Sequence, residues 1–267
     1  MAQLEHEFDI CRSVVSVMSK RKQEELKFVS KPDQIKRTEK AVDFLVCGKL
    51  GSYAIEHTLI ESHPNRMRDD AQFVKLLKPL EEKLTGKLPR LGCYYLTVNF
   101  GAVKGVKREQ EVRDAIESWI YAKASTLQID LPQKNYISEI PKGVPFKVSL
   151  HRWSTSDGRF FIARFAPEDL KILRRKRIKF ALENKCPKLH DAKKNDSKIR
   201  SVLILESNDI ALSNYPDIGK ALVEAISEFA YHKPDEIYLV EHGFIWILKD
   251  GGTVFPHVQQ PGPYVRK

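Results

Sequence analysis

The sequence lacks the patterns that mark several large classes of protein. Its four cysteines, Cys11, Cys47, Cys93 and Cys186, are far apart, so there is no CxxC pair and no spacing typical of a zinc site. In a chain of 267 residues they predict free thiols rather than a disulfide framework. The sequence contains no HExxH, no GxSxG and no Rossmann fingerprint, and its glycine segment 101–105 lacks the GK[ST] ending of a P-loop.

Long apolar runs are also missing. No stretch approaches the roughly 20 apolar residues that a membrane span requires. Near the start of the chain, Glu5, Glu7 and Asp9 stand where a signal peptide needs positive charge followed by an apolar segment. These absences predict a cytoplasmic protein with no membrane partner.

What the sequence does contain is an excess of positive charge. It has 45 Lys and Arg against 35 Asp and Glu, a formal net charge of +10 and a pI near 9.3. Residues 168–200 hold 12 of the basic residues and only 5 acidic ones, so most of the excess is concentrated there. Such an excess favours polyanionic partners, nucleic acid above all, although charge that serves only solubility remains an alternative.

The order of apolar patterns predicts an α/β fold with a mixed central sheet and helices on both faces. No linker divides the chain, so a single domain is predicted over residues 1–267. Within it, strands at 146–153 and 159–165 around an Asp-Gly turn predict an inserted hairpin. A helix is predicted from Pro167 to about Asn184, followed by a basic connector over 185–200 and, from residue 251, a loose C-terminal tail rich in Gly and Pro.

Two acidic residues lie inside apolar segments early in the chain. Asp43 belongs to the predicted strand 41–47, Glu56 belongs to the predicted strand 54–60, and glycines separate the two. A carboxylate within an apolar strand costs free energy unless it is paired, solvated or bound to a metal. In a hairpin, both groups converge on a hard oxygen site suited to Mg²⁺ or Mn²⁺, which activates water at a phosphodiester. The alternative is that both lie on a solvated strand face.

This arrangement, a helix, an Asp-bearing strand, a turn and a Glu-bearing strand, resembles the PD-(D/E)xK nuclease superfamily over residues 3–60. The resemblance implies a restriction-endonuclease-like core and a Mg²⁺-dependent phosphodiesterase in which Asp43 and Glu56 bind the metal. Two positions depart from the motif. Ala41-Val42 precede Asp43 in place of the motif proline, and Thr58 occupies the position of the motif lysine. Thr58, on the same strand face as Glu56, is then expected to orient water or phosphate.

A cation from elsewhere must replace the motif lysine if the site is active. Lys176 and Lys188, both in the basic segment, are the predicted replacements. We expect nearby basic side chains to contact the phosphate backbone: Arg174, Arg175, Arg177 and Lys179. A solvated basic helix with no ligand is the alternative.

Three functions fit these features: a Mg²⁺-dependent nuclease, a catalytically inactive nucleic-acid-binding protein on the same fold, and a protein whose basic segment meets an acidic protein. DNA is expected ahead of RNA as the nucleic acid, and because many nucleases of this type cut as dimers, a homodimer is among the partners to test. Other residues are expected to have ordinary structural roles, as surface or capping acids (Glu7, Glu206, Asp209) or as core aromatics rather than base-stacking ones (Trp119, Trp153, Trp246).

Overall fold

The computed structural model describes residues 2–32, 41–61, 66–88, 92–128, 134–153, 158–165, 169–209, 215–229 and 232–255. In chain order, the elements of this part are α1 (Ala2–Lys22), β1 (Lys27–Ser30), β2 (Phe44–Cys47), β3 (Ser52–Leu59), α2 (Arg66–Leu84), β4 (Cys93–Asn99), α3 (Glu109–Ala124), β5 (Tyr136–Glu139), β6 (Val148–Trp153), β7 (Phe160–Phe165), α4 (Leu170–Asn195), β8 (Ile199–Ser207), α5 (Tyr215–Ser227), β9 (Glu236–Glu241), β10 (Phe244–Asp250) and β11 (Thr253–Val254). The predicted α/β class with mixed strand directions is therefore confirmed. None of the described helices is both long and apolar enough to cross a membrane.

The chain forms two compact units. The first unit combines Met1–His63 with Asp169–Lys267, and the second is Pro64–Glu168. The first contains a seven-stranded sheet in the order β1-β2-β3-β8-β9-β10-β11, and the second a four-stranded sheet in the order β5-β6-β4-β7. The expectation of a single domain over residues 1–267 stays a prediction.

The seven-stranded sheet has a parallel centre and antiparallel edges. Strands β3, β8 and β9 run parallel, whereas β2 pairs antiparallel with β3, and β10 pairs antiparallel with β9. Strand β8 reads Val-Leu-Ile-Leu over residues 202–205, all fully buried. Such a continuous apolar run is typical of a strand covered on both faces.

Helices cover both faces of this sheet. On one face, apolar residues of α1 at helical spacing, among them Cys11, Val14 and Met18, pack on Val202 and Ile204. On the other face, residues of α4 and α5 pack on the alternate residues Leu203 and Leu205 of the same strand. The alternation of β8 between two cores thus separates an α1 face from an α4 face.

In the second unit, both helices lie on one face of the four-stranded sheet. Buried leucines of α2, such as Leu80, and isoleucines of α3, such as Ile116, share a core with Leu96 and Leu150 of the sheet. This core contains none of the residues that form the two cores of the first unit.

Three predictions about elements are wrong. Strands β6 and β7 do not form the predicted hairpin, because both pair with β4, one antiparallel and the other parallel; the turn residues 154–157 lie outside the described residues. The predicted connector over 185–200 is mostly helix, because buried Cys186 and Leu189 continue the apolar spacing of Ile178 and Leu182. The tail is not loose from residue 251, because β11 pairs with β10; residues 256–267 lie outside the described part.

Candidate functional site

The two predicted acids lie opposite each other at one end of the β2–β3 hairpin. The antiparallel register pairs Phe44 with Ile55, which places Asp43, just before β2, across from Glu56. The backbone amide of Asp43 donates to Oε1 of Glu56 at 3.2 Å, and the amide of His57 donates to Oδ2 of Asp43 at 2.7 Å. Glu56 has no exposed surface and Asp43 is 7% exposed.

Two lysines one helical turn apart on α4 reach both carboxylates. Nζ of Lys185 lies 2.6 Å from Oε2 of Glu56 and 3.3 Å from Oδ2 of Asp43. Nζ of Lys188 is more distant, at 3.4 Å from Oε1 of Glu56 and 3.9 Å from Oδ1 of Asp43. The structure therefore brings two acids together with two lysines that lie 129 or more residues further along the chain.

Of the two predicted replacements for the motif lysine, one is in this cluster. Lys188 is present, whereas Lys176 lies in a groove lined by residues of α4 and α5, including Lys179, Glu224 and Glu228. Lys185 was missed by sequence reasoning because residue 185 was assigned to a connector. The signal for it is the apolar spacing that continues through Leu182, Cys186 and Leu189 and keeps this segment helical, with Lys185 beside the buried positions.

The charges of the cluster perturb one another strongly. Burial raises the pKa of Glu56, and the nearby charge of Asp43 raises it further, to about 7, although Lys185 and Lys188 act in the opposite direction. Burial alone would lower the pKa of Lys185, but the carboxylates of Glu56 and Asp43 outweigh it and raise that pKa. Two lysines and two carboxylates make a nearly neutral group of charges with restricted access to water.

The donor set fits a Mg²⁺ or Mn²⁺ ion that keeps other ligands. Magnesium is commonly bound through one or two carboxylates together with water and substrate phosphate. Asp43 and Glu56 supply hard oxygens of that kind. Within the described part of the chain, no group of three or more His, Cys, Asp or Glu side chains converges on a metal position. Of the described residues, these two carboxylates would therefore be the only protein ligands of the ion.

On the α1 face of the same strand, His57 lies between two further carboxylates. Its Nε2 is 3.0 Å from Oε2 of Glu206, and its Nδ1 is 3.3 Å from Oε1 of Glu7. His6 contacts the other oxygen of Glu206 at 2.8 Å. Burial would lower the pKa of His57, but these hydrogen bonds and charges raise it to about 9, so the ring is an imidazolium at neutral pH.

This second cluster supports the first through the backbone. The imidazolium lowers the pKa of Glu206 to about 2 against the effect of burial. It joins α1 to β3 and β8, and the amide of the same residue holds the carboxylate of Asp43. His57 thus lies on the strand face opposite Glu56, and its partners Glu7 and Glu206 are more than surface or capping acids.

Thr58 lies on the α4 side of the strand, as does Glu56. It lines a small pocket with Arg177, Phe180 and Asn184 of α4. The guanidinium of Arg177 donates from Nε to the carbonyl of Glu61 at 2.6 Å. A threonine at this position therefore has a helix cation beside it, but that cation is already bound to the backbone.

The remaining predicted phosphate contacts differ in their availability. Arg174 is 9% exposed and lies 3.2 Å from Asp217 of α5, so it is a structural residue. Arg175 pairs with Glu228 at the surface. Arg175, Lys176 and Lys179 line a groove between α4 and α5 that is open to a ligand.

Two minor expectations are settled by burial. Trp119 and Trp246 are 7% and 8% exposed, as expected of core residues, whereas Trp153 is 54% exposed. Asp209 has no exposed surface, so it is not a surface cap.

Comparisons with protein families, with characterised proteins and with solved structures found no match to this chain.

Proposed function

We propose that this protein is a metal-dependent nuclease of the PD-(D/E)xK type, with DNA as the first substrate to test. The single observation that carries the proposal is the convergence of Asp43, Glu56, Lys185 and Lys188 at one end of a hairpin. The resemblance over residues 3–60 requires a lysine near these acids, and α4 supplies two although the motif position holds Thr58. The restriction-endonuclease-like character of the core belongs to the same proposal.

Each residue has a distinct role in it. Asp43 and Glu56 bind Mg²⁺, which when bound supplies an activated water and charge stabilisation at the phosphodiester. Lys188 is the less tightly held ammonium, and its 27% exposed side chain is the one free to approach the phosphate. Lys185, closest to both carboxylates, holds the cluster together in the absence of metal.

A second candidate function has an observation in its favour. The two ammonium groups already balance the charges of Asp43 and Glu56, so the buried acids are stable without a metal. A protein that kept the fold only to bind nucleic acid would need nothing further. Its binding would use Lys176 and Lys179 in the α4–α5 groove and would weaken steeply with salt.

The deciding experiment is cleavage of DNA and RNA substrates in Mg²⁺ or Mn²⁺ by the wild type and three variants. We expect Glu56→Gln and Lys188→Met each to lower the cleavage rate at least a hundredfold, because the first weakens metal binding and the second removes the ammonium that stabilises developing negative charge. Lys194→Met is the matched control, an exposed lysine on the same helix but outside both the cluster and the groove, and should stay within about twofold.

Binding measurements in EDTA separate the two functions. If the wild type cuts and Glu56→Gln, still folded by circular dichroism, only binds, the nuclease proposal stands. If no substrate is cut in either metal while all proteins bind nucleic acid at low salt, the proposal fails and the inactive binding protein replaces it.

A further inference from the structure

A row of aromatic rings crosses the four-stranded sheet of the second unit on the face away from its helices. The strand register pairs Tyr136 with His151, His151 with Tyr95, and Tyr95 with Phe161, one residue from each strand. Their neighbours in sequence, such as Leu150, pack in the helix-side core. Because side chains alternate along a strand, the four rings share the opposite face.

The rings of this row already stack in pairs. Tyr95 and Phe161 are 5.3 Å apart between centroids with planes 25° from parallel, and Tyr136 and His151 are 5.4 Å apart at 16°. Phe165 meets the His151 ring edge-on at 6.3 Å. Burial lowers the pKa of His151, so its ring is uncharged at neutral pH and stacks as an aromatic.

Three large aromatic side chains on this face are about half exposed to solvent. Tyr136 is 51% exposed, Trp153 is 54% exposed and Phe165 is 47% exposed. Exposed apolar side chains that cluster on one sheet face are typical of an interaction surface, whereas single exposed ones are common on any protein. The planes of each stacked pair are within 25° of parallel, an arrangement that a further planar group can join by stacking.

Charge identifies the kind of ligand. In the four strands, no position on this face holds an acidic residue. Lys147 lies on it too, because both of its neighbours, Phe146 and Val148, pack in the helix-side core, and it is exposed. The unit as a whole has 18 Lys and Arg against 12 Asp and Glu. A protein partner would need only the apolar rings, whereas a positive setting around stacked rings suits an anionic ligand with flat groups.

We infer that this face, the aromatic row with Trp153, Phe165 and Lys147, binds a single strand of nucleic acid. Unpaired bases stack on tyrosine, tryptophan and phenylalanine rings, and the phosphates lie beside basic side chains. A duplex hides its base faces and could use only the charges. The inference goes beyond the proposed nuclease and does not depend on it, since it involves none of the residues around Glu56.

The test is a titration of the full protein with fluorescent thymidine and uridine oligomers in EDTA. At least one of them should bind tenfold or more tightly than a duplex of equal length, and the tighter one tells whether DNA or RNA is the source of the strand. Tyr136→Ala and Trp153→Ala should each weaken that binding about tenfold, since one stacked base contributes about 1–3 kcal/mol. Tyr136→Phe should bind like the wild type.

Tyr121→Ala is the matched control. Tyr121 is 40% exposed but lies on α3, on the helix side of the sheet, so its loss should change affinity less than twofold. Duplex bound as tightly as single strands, or affinity unaffected by Tyr136→Ala and Trp153→Ala in folded protein, would overturn the inference. Because the titration in EDTA reports binding and not cleavage, failure of the nuclease proposal leaves this result distinct.

Discussion

His57 carries a charge that the fold itself maintains. The imidazolium lies between Glu206 and Glu7, is 8% exposed, and has a pKa raised to about 9 from an ordinary value of 6.5. A group whose pKa is raised on folding stabilises the native state fully below its unfolded pKa, and the contribution disappears as pH rises through the folded pKa. Glu206 behaves in the opposite sense, because its pKa falls to about 2 and its contribution is lost in acid.

The free energy of unfolding in metal-free buffer should therefore fall between pH 6.5 and pH 9. The shift in the pKa of His57 corresponds to about 3 kcal/mol. His57→Gln should be less stable than the wild type at pH 6 and should lose most of this pH dependence. Urea unfolding at pH 6 and pH 9.5 measures both. His232→Gln, at an exposed histidine, serves as the control, and a wild type equally stable at both values would contradict the assignment.

At the residue scale, the sequence identifies the acids of the site but not their partners. Asp43 and Glu56 stand out because they interrupt apolar strands on either side of a glycine turn. Their lysines come from 129 or more residues away, and Glu206 is 149 residues from His57. Local pattern contains no information about such contacts, because they depend on which strands become neighbours in the sheet.

At the element scale, α4 contributes residues to the core, to the carboxylate cluster and to the α4–α5 groove. Its buried residues, such as Ile178 and Leu182, pack on the sheet and on α5, while Lys185 and Lys188 point to the carboxylates. The groove side carries Lys176 and Lys179. A helix that packs between a sheet, another helix and solvent has no single polar face. The helical pattern alone therefore does not show which of its cations face the carboxylates and which face solvent.

The helix is also longer than predicted, because Pro187 and the basic residues around it are typical of a helix end.

Two adjacent arginines of α4 should differ in what they contribute. Arg174 is buried against Asp217, so Arg174→Ala leaves a polar environment without its cation and should lower the free energy of unfolding by about 1–3 kcal/mol. Arg175 pairs with Glu228 in solvent, where such a pair contributes little to stability, so Arg175→Ala should leave the free energy of unfolding nearly unchanged. Urea denaturation of the two variants compares them directly. Equal destabilisation would show that burial does not distinguish these positions.

At the scale of the whole molecule, apolar patterns predict the class of fold but not the division into units. Apolar periodicity located β3, β6 and β7 within two residues, from the strands predicted at 54–60, 146–153 and 159–165. It did not reveal that β6 and β7 both pair with β4, since an Asp-Gly turn between two strands is also what a hairpin would have. Strand pairing depends on the packing of the whole sheet, and β4 pairs with β6 on one side and with β7 on the other.

The separate cores of the two units predict separate responses to core substitutions. Leu96 and Leu203 are both fully buried, one in the four-stranded unit and the other in the seven-stranded unit. Replacing either by alanine removes buried methyl groups and leaves a cavity, which costs about 2–5 kcal/mol. Because no residue is common to the two cores, each substitution should destabilise mainly its own unit.

Tryptophan fluorescence can follow the units one at a time. Trp246 belongs to the first unit, and Trp119 and Trp153 belong to the second, so replacing either set by phenylalanine leaves a reporter of one unit. In urea, Leu96→Ala should shift the transition seen by Trp119 and Trp153 and leave the one seen by Trp246 within about 0.5 kcal/mol. Leu203→Ala should do the reverse. If both reporters shift together with either substitution, the two units unfold as one cooperative block, and the aromatic face and the carboxylate site would then be lost at the same urea concentration.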